Sequence, residues 1–114
     1  MQVVLVEDDE QLRAVMAVVL RRMGMHVLAE TADGQAALDL LACEHPDLIL
    51  TDCQMPNMDG IALVRSLRAR GDRTPIIMIS GQEDPQIMEL ALQAGVDLFL
   101  PKPLNATMLT LAID

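Results

Sequence analysis

The stretch Asp47-Leu48-Ile49-Leu50-Thr51-Asp52-Cys53-Gln54-Met55-Pro56 decides the architecture. It opens on a short continuous apolar run, Leu48-Ile49-Leu50, bounded by a polar residue on each side. Such a run reads as a strand covered on both faces, the habit of parallel sheets flanked by helices. A carboxylate, Asp52, stands at the end of the run, and Met55-Pro56-Asn57 then breaks the chain. An acid placed directly after a buried strand is hard to dismiss as an ordinary turn residue.

Working outward, the same alternation recurs. Val3 to Val6 is another short apolar run, and from Leu12 the positions Val15, Met16, Val19, Leu20 and Met23 fall on one face of a helix. Gly24 ends that helix, and His26 to Ala29 is a weaker second strand. Asp33-Gly34 opens a second helix containing Leu38, Leu40 and Leu41, and Cys43 reads as one of its residues. The third strand spans Asp47 to Thr51. Beyond the break a third helix carries Ile61, Val64, Leu67 and Arg68, and Pro75 to Ile79 forms a fourth strand. Asp84-Pro85 is a helix start, an N-cap acid followed by Pro at the first helical position, and Gly95 is its stop. Leu98-Phe99-Leu100 is a fifth strand, and Asn105 begins a fifth helix. That helix reaches Asp114 after about two turns and without a cap, which suggests a longer natural chain or a shortened piece of one. Strand-helix pairs with almost wholly apolar strands predict an α/β fold of one domain over residues 1–114, a doubly wound five-stranded parallel sheet.

Composition limits the functions open to such a domain. The 114 residues include 8 Lys+Arg against 17 Asp+Glu, a formal net charge of -9, with 52% apolar and 1% aromatic residues. The apolar share supports a real core. The acidic balance and the lack of rings speak against direct nucleic-acid binding, which needs a basic footprint. No apolar run approaches the roughly 20 residues of a membrane span, and the start Met1-Gln2-Val3 lacks the basic and apolar regions of a signal peptide. Cys43 and Cys53 make neither a disulfide framework nor a zinc set, so a reducing cytoplasm is the expected compartment.

The chemistry lies in the residues that end the strands. These are Glu7-Asp8-Asp9-Glu10, Thr51-Asp52, Ser80-Gly81 and Pro101-Lys102-Pro103, and in a doubly wound sheet they share one rim. If the first and third strands are neighbours, Glu7, Asp8 and Asp52 converge and repel one another. A hard divalent cation relieves that repulsion, and oxygen-only ligands suit Mg²⁺, which keeps other positions for waters or phosphate oxygens. Lys102 is the only lysine in the chain, a point charge presented between two prolines. Taken singly, each feature has a plainer reading. The acid run equally suits a helix N-terminus, which is how Asp9 and Glu10 read, Ser80 suits a turn, and Lys102 a solvated surface. Their coincidence on one rim is what points to a site for phosphoryl chemistry.

With these residues in view, the whole chain resembles a response-regulator receiver domain, the phosphoacceptor half of two-component signalling. The resemblance rests on Val3-Val4-Leu5-Val6-Glu7-Asp8, on Leu48 through Pro56, on Met58-Asp59-Gly60, on Ile76-Ile77-Met78-Ile79-Ser80-Gly81, on Ala94-Gly95-Val96-Asp97 and on Phe99-Leu100-Pro101-Lys102-Pro103. It implies a flavodoxin-like (βα)5 fold with strand order 2-1-3-4-5. It implies that Asp52 is the phosphorylated aspartate. Glu7, Asp8, Asp52 and the backbone carbonyl of Gln54 would hold Mg²⁺ or Mn²⁺, with Asp8 a direct ligand and Glu7 acting through water. Lys102 would pair with the aspartate or its phosphoryl oxygens, Ser80 would supply the switching hydroxyl, and Phe99 would occupy the position of the ring that follows it. The Lys102-Pro103 bond matches one that is usually cis in the family. The implied donor is a phosphohistidine on a histidine kinase or histidine phosphotransfer protein. The implied response is a changed surface of the fourth helix, fifth strand and fifth helix, read by an output domain or target. Such a module is no conventional turnover enzyme; it catalyses its own phosphorylation and slow autodephosphorylation.

Plainer roles compete at several of these positions. Phe99 equally suits a core aromatic. The fourth helix carries Ile87, Met88, Leu90, Ala91 and Leu92, more apolar positions than one buried stripe needs. The nine methionines fit core filler better than an adaptable binding surface. Cys53, beside acids, is not expected to be a reactive thiolate. Three other functions share parts of the pattern. A Mg²⁺-dependent phosphatase with an aspartyl nucleophile typically has a second acid two residues on, where Gln54 stands here. A flavodoxin-like cofactor carrier needs a phosphate-binding loop after the first strand, where the acids stand here. A degenerate, non-phosphorylated interaction module would not need the acceptor set intact.

Overall fold

The computed structural model describes residues 1–81, 84–103 and 105–113. In chain order the elements are β1 (Gln2–Val6), α1 (Glu10–Arg22), β2 (His26–Thr31), α2 (Gly34–Leu41), β3 (Leu48–Asp52), α3 (Gly60–Ala69), β4 (Ile76–Ser80), α4 (Pro85–Ala94), β5 (Leu98–Pro101) and α5 (Ala106–Ile113). The strands form one sheet in the order β2-β1-β3-β4-β5, every neighbouring pair parallel. This is the doubly wound, flavodoxin-like arrangement that the sequence predicts.

Alternation along the strands divides the core. Val4, Val6, Ile49, Ile76 and Met78 face α2, α3 and α4, meeting Ala37, Leu41, Leu63, Val64, Leu67 and Ala91. Val3, Leu5, Leu48, Leu50, Ile77 and Ile79 face α1 and α5, meeting Met16, Ala17, Leu20 and Leu109. Helices α1 to α4 start on acids: Asp9, Asp33, Asp59 and Asp84 accept hydrogen bonds from the amides of Leu12, Ala36, Ala62 and Gln86. Gly95 closes α4 at φ 116°, a left-handed conformation that suits glycine.

Several boundaries differ from the sequence reading by a residue or two. β2 continues past Ala29 because Glu30 and Thr31 keep pairing with Leu5 and Val6. β3 and β4 run on to Asp52 and Ser80, which pair with Ile79 and Pro101. Ladder hydrogen bonds use only backbone, so they extend past the point where apolar side chains stop. Cys43 is an exposed residue beyond the end of α2 rather than part of it. Its amide bonds to the Leu40 carbonyl, tightening the chain after the Ala42 cap. The uncapped end expected at Asp114 lies outside the described residues. Among those described, no helix is long and apolar enough to cross a membrane.

Candidate functional site

The parallel order puts the carboxyl ends of β1, β3, β4 and β5 on one rim, and β1 lies beside β3. Glu7 follows the last residue of β1, and Asp52 is the last residue of β3. Each of Glu7, Asp8 and Asp52 offers a carboxylate oxygen, and all these oxygens lie within 4.8 Å of one another. Glu7 is fully buried and Asp52 is 7% exposed, whereas Asp8 opens to solvent. Lys102, just beyond β5, reaches into the cluster. Its Nζ lies 3.0 Å from Glu7 Oε1 and 3.1 Å from Asp52 Oδ2. The Lys102-Pro103 peptide bond is cis.

The backbone orients these groups. Asp52 Oδ1 accepts from the Cys53 amide at 2.7 Å, and Glu7 Oε2 from the Asp9 amide at 3.0 Å. The Lys102 amide donates to the Ser80 carbonyl at 2.9 Å, joining β4 to the segment that presents the ammonium. Ser80 is buried at the end of β4. Gln54 lies beyond β3 with an exposed side chain. Phe99 lies on β5 in register with Met78, half-buried, where it lines a groove with Met88, Leu92 and Pro101 that includes none of Glu7, Asp8 and Asp52.

Burial dominates the protonation of Glu7. It raises the carboxyl from 4.5 to about 7, helped by Asp8 and the charge of Asp52 and opposed by the Asp9 amide and Lys102. Burial acts in the opposite sense on Lys102, but hydrogen bonds and charge from Glu7 and Asp52 outweigh it and raise its affinity for the proton. Burial also pushes the Cys53 thiol up, with Asp59 and Asp52 adding to it, which disfavours its thiolate.

The donor set fits a hard divalent cation. It consists of oxygen atoms only, with one exposed acid through which water can enter. Glu7 Oε1 is buried and faces the Lys102 ammonium at 3.0 Å. One ammonium does not satisfy three gathered carboxylates, and an added cation would.

Sequence reasoning missed two supports of this rim and one brace at the amino ends of the strands. Arg13 Nη1 donates to the Glu7 carbonyl at 2.8 Å. Asn57 Nδ2 donates to Asp33 Oδ2 at 3.0 Å while the Gly34 amide donates to the Met58 carbonyl at 3.1 Å, so the start of α2 is locked to the loop after β3. Arg68 donates to the carbonyls of Asp72, Thr74 and Gly95 and pairs with Asp97. The available signals were an arginine beside the core stripe of α1 and an Asp-Gly pair that was read only as a helix start.

Comparison with known proteins agrees with this geometry. The response regulator receiver domain model matches residues 3–114. The chain is 37% identical over 103 residues to response regulator MprA of Mycolicibacterium vanbaalenii, covering 90% of this chain and 44% of that protein. It is also 37% identical over 104 residues to Regulator of RpoS of Escherichia coli, covering 91% of this chain and 31% of that one. It thus spans less than half the length of these curated relatives. Among solved structures, the receiver domain of the putative response regulator NarL from Mycobacterium tuberculosis superposes with TM-score 0.92 at 34% identity, covering 98% of this chain and 91% of that one. The receiver domain of sensor histidine kinase PA1611 from Pseudomonas aeruginosa, solved with a magnesium ion coordinated in its active-site cleft, gives 0.89 at 32%, covering 98% and 93%. The chain belongs to the response regulator receiver domain family of two-component signalling.

Proposed function

We propose that Asp52 is the phosphoacceptor of a cytoplasmic two-component or phosphorelay switch, charged from a phosphohistidine on a histidine kinase or histidine phosphotransfer protein. Glu7, Asp8, Asp52 and the Gln54 carbonyl would hold Mg²⁺, with Mn²⁺ as a substitute. The observation that carries this reading is the convergence of Glu7, Asp8 and Asp52 within 4.8 Å, with Lys102 Nζ 3.1 Å from Asp52 Oδ2.

A bound divalent cation supplies neutralising charge to the acids and to incoming phosphoryl oxygens. The chain does the rest by positioning and charge, as in other phosphoryl transfers. The Cys53 amide fixes the carboxylate plane of Asp52. A carboxylate oxygen of Asp52 attacks phosphorus, the phosphorus–nitrogen bond breaks, and the imidazole keeps the electron pair and takes a proton from solvent. Lys102 stabilises charge on the transferring group, and the Ser80 hydroxyl turns toward the phosphoryl oxygens. Water entering by the exposed side of Asp8 hydrolyses the acyl phosphate slowly.

The switched surface is the face of α4, β5 and α5. A groove of about 770 Å³ lies there, lined by Met88, Leu92, Phe99 and Pro101 among others. Pairing of Ser80 with Pro101, together with the hydrogen bond from the Lys102 amide to the Ser80 carbonyl, links the acceptor rim to β5 and to this groove. An output domain or target protein reads the change.

Intact mass after incubation with a small phosphodonor and Mg²⁺ tests the proposal. The expected result is a gain of one phosphoryl group, absent in Asp52→Asn and after chelation of the metal. Undiminished labelling of Asp52→Asn, or no labelling of the wild type, overturns it.

A further inference from the structure

We propose that Arg13 is a positioning residue for the acid pair, holding the Glu7–Asp8 peptide in the orientation that turns both carboxylates to the cation site. The proposal rests on the phosphoacceptor reading above and adds a residue that reading does not use. Glu7 lies beyond the last paired residue of β1, so its carbonyl leaves the strand ladder. Arg13 supplies the missing partner: its Nη1 donates to that carbonyl at 2.8 Å. On the other side, the Glu7 amide donates to the Thr31 carbonyl at 3.0 Å. Both backbone groups of Glu7 are therefore held, and the plane of the following peptide sets where Asp8 begins.

The guanidinium also stands near a second acid. Its side chain is 20% exposed, and its Nε stands 3.7 Å from Glu30 Oε1, while Arg21 Nη2 stands 3.5 Å from Glu30 Oε2. Arg13 thus spans from α1 to β2 and to the end of β1, and a planar fork constrains direction as well as distance. Groups that orient ligands without touching the cation govern metal affinity in this way. A merely structural arginine would need the Glu30 pair as much as the Glu7 carbonyl. A positioning arginine needs the carbonyl.

Three variants separate the two: Arg13→Met, Arg13→Lys and Glu30→Gln, each checked for folding by its thermal midpoint. Calorimetric titration with Mg²⁺ and amide exchange of Asp8 and Asp9 in metal-free protein are the readouts. Arg13→Met is expected to bind Mg²⁺ about tenfold more weakly and to exchange faster at both amides. Arg13→Lys is expected to recover part of the affinity, and Glu30→Gln to keep all of it. If Arg13→Met does not fold, Arg13→Lys against Glu30→Gln still decides. Wild-type affinity in both Arg13 variants, or equal loss in Glu30→Gln, overturns the positioning role alone. A wild type that binds no Mg²⁺ takes the phosphoacceptor reading down with it.

Discussion

Glu7 is the side chain whose surroundings most oppose its charge. The folded carboxyl holds its proton up to about pH 7, whereas a carboxyl at the ordinary value loses it near 4.5. Between those values the folded state binds the extra proton, so the metal-free protein is expected to lose stability as pH rises across that window. Urea unfolding of Glu7→Gln in chelator should show a flatter dependence there; an unchanged slope would assign the effect to another group. Cation binding must displace the same proton, and so should release protons near neutral pH. Lys102 is the opposite case, an ammonium favoured by two acids. Lys102→Ala is expected to slow phosphoryl acceptance by about a hundredfold, measured as the rate of mass gain under saturating metal, while Asp52 still labels at long times. The residue types of this site were legible because each stands at the end of an apolar run. The imbalance between Glu7 and Lys102 was not, because it depends on burial.

At the scale of elements, the helix starts were the most legible feature. Asp33-Gly34 and Asp84-Pro85 each mark a helix by local chemistry alone, and the structure places both acids as N-caps. What those starts lean on was hidden. A Cβ at Gly60 would collide with the Asp52 carbonyl, and one at Gly34 with the Met58 carbonyl. Glycine is required at these positions by close approach to a backbone carbonyl outside its own helix. Gly60→Ala is therefore expected to cost about 1–3 kcal/mol in urea unfolding and to displace the chain around Asp52. A variant as stable as wild type would show that α3 can slide away without consequence. Strand ends were misplaced by a residue for the reason already visible in β3 and β4: polarity changes before pairing does.

Over the whole molecule, packing is uneven. β3 and β4 are buried along their full length, while α4 buries only Ala91 and leaves Met88, Leu90 and Leu92 exposed. Arg68 holds the far end of α4, where its guanidinium donates to the Gly95 carbonyl at 3.0 Å as well as to the Asp72 and Thr74 carbonyls at 2.9 Å. Arg68→Ala should destabilise the domain by about 2–3 kcal/mol, because three part-buried carbonyls lose a charged donor together. Native-state hydrogen exchange should then show α4 opening first, ahead of β3 and β4. Uniform protection across all three elements would contradict that order. On the switch reading proposed above, this loosely packed helix is the element that would move.

The amino-acid order alone determined the alternation of strand and helix, the doubly wound class and the acids and lysine that end the strands. These follow from local periodicity and from punctuation by Gly, Pro and Asp, which need no partner to act. Only the folded chain decided how deeply Glu7 is buried, that Arg13 and Arg68 serve as braces, and that the start of α2 locks onto the loop after β3. Those facts arise where segments far apart in the chain meet, and no window of neighbouring residues records such a meeting.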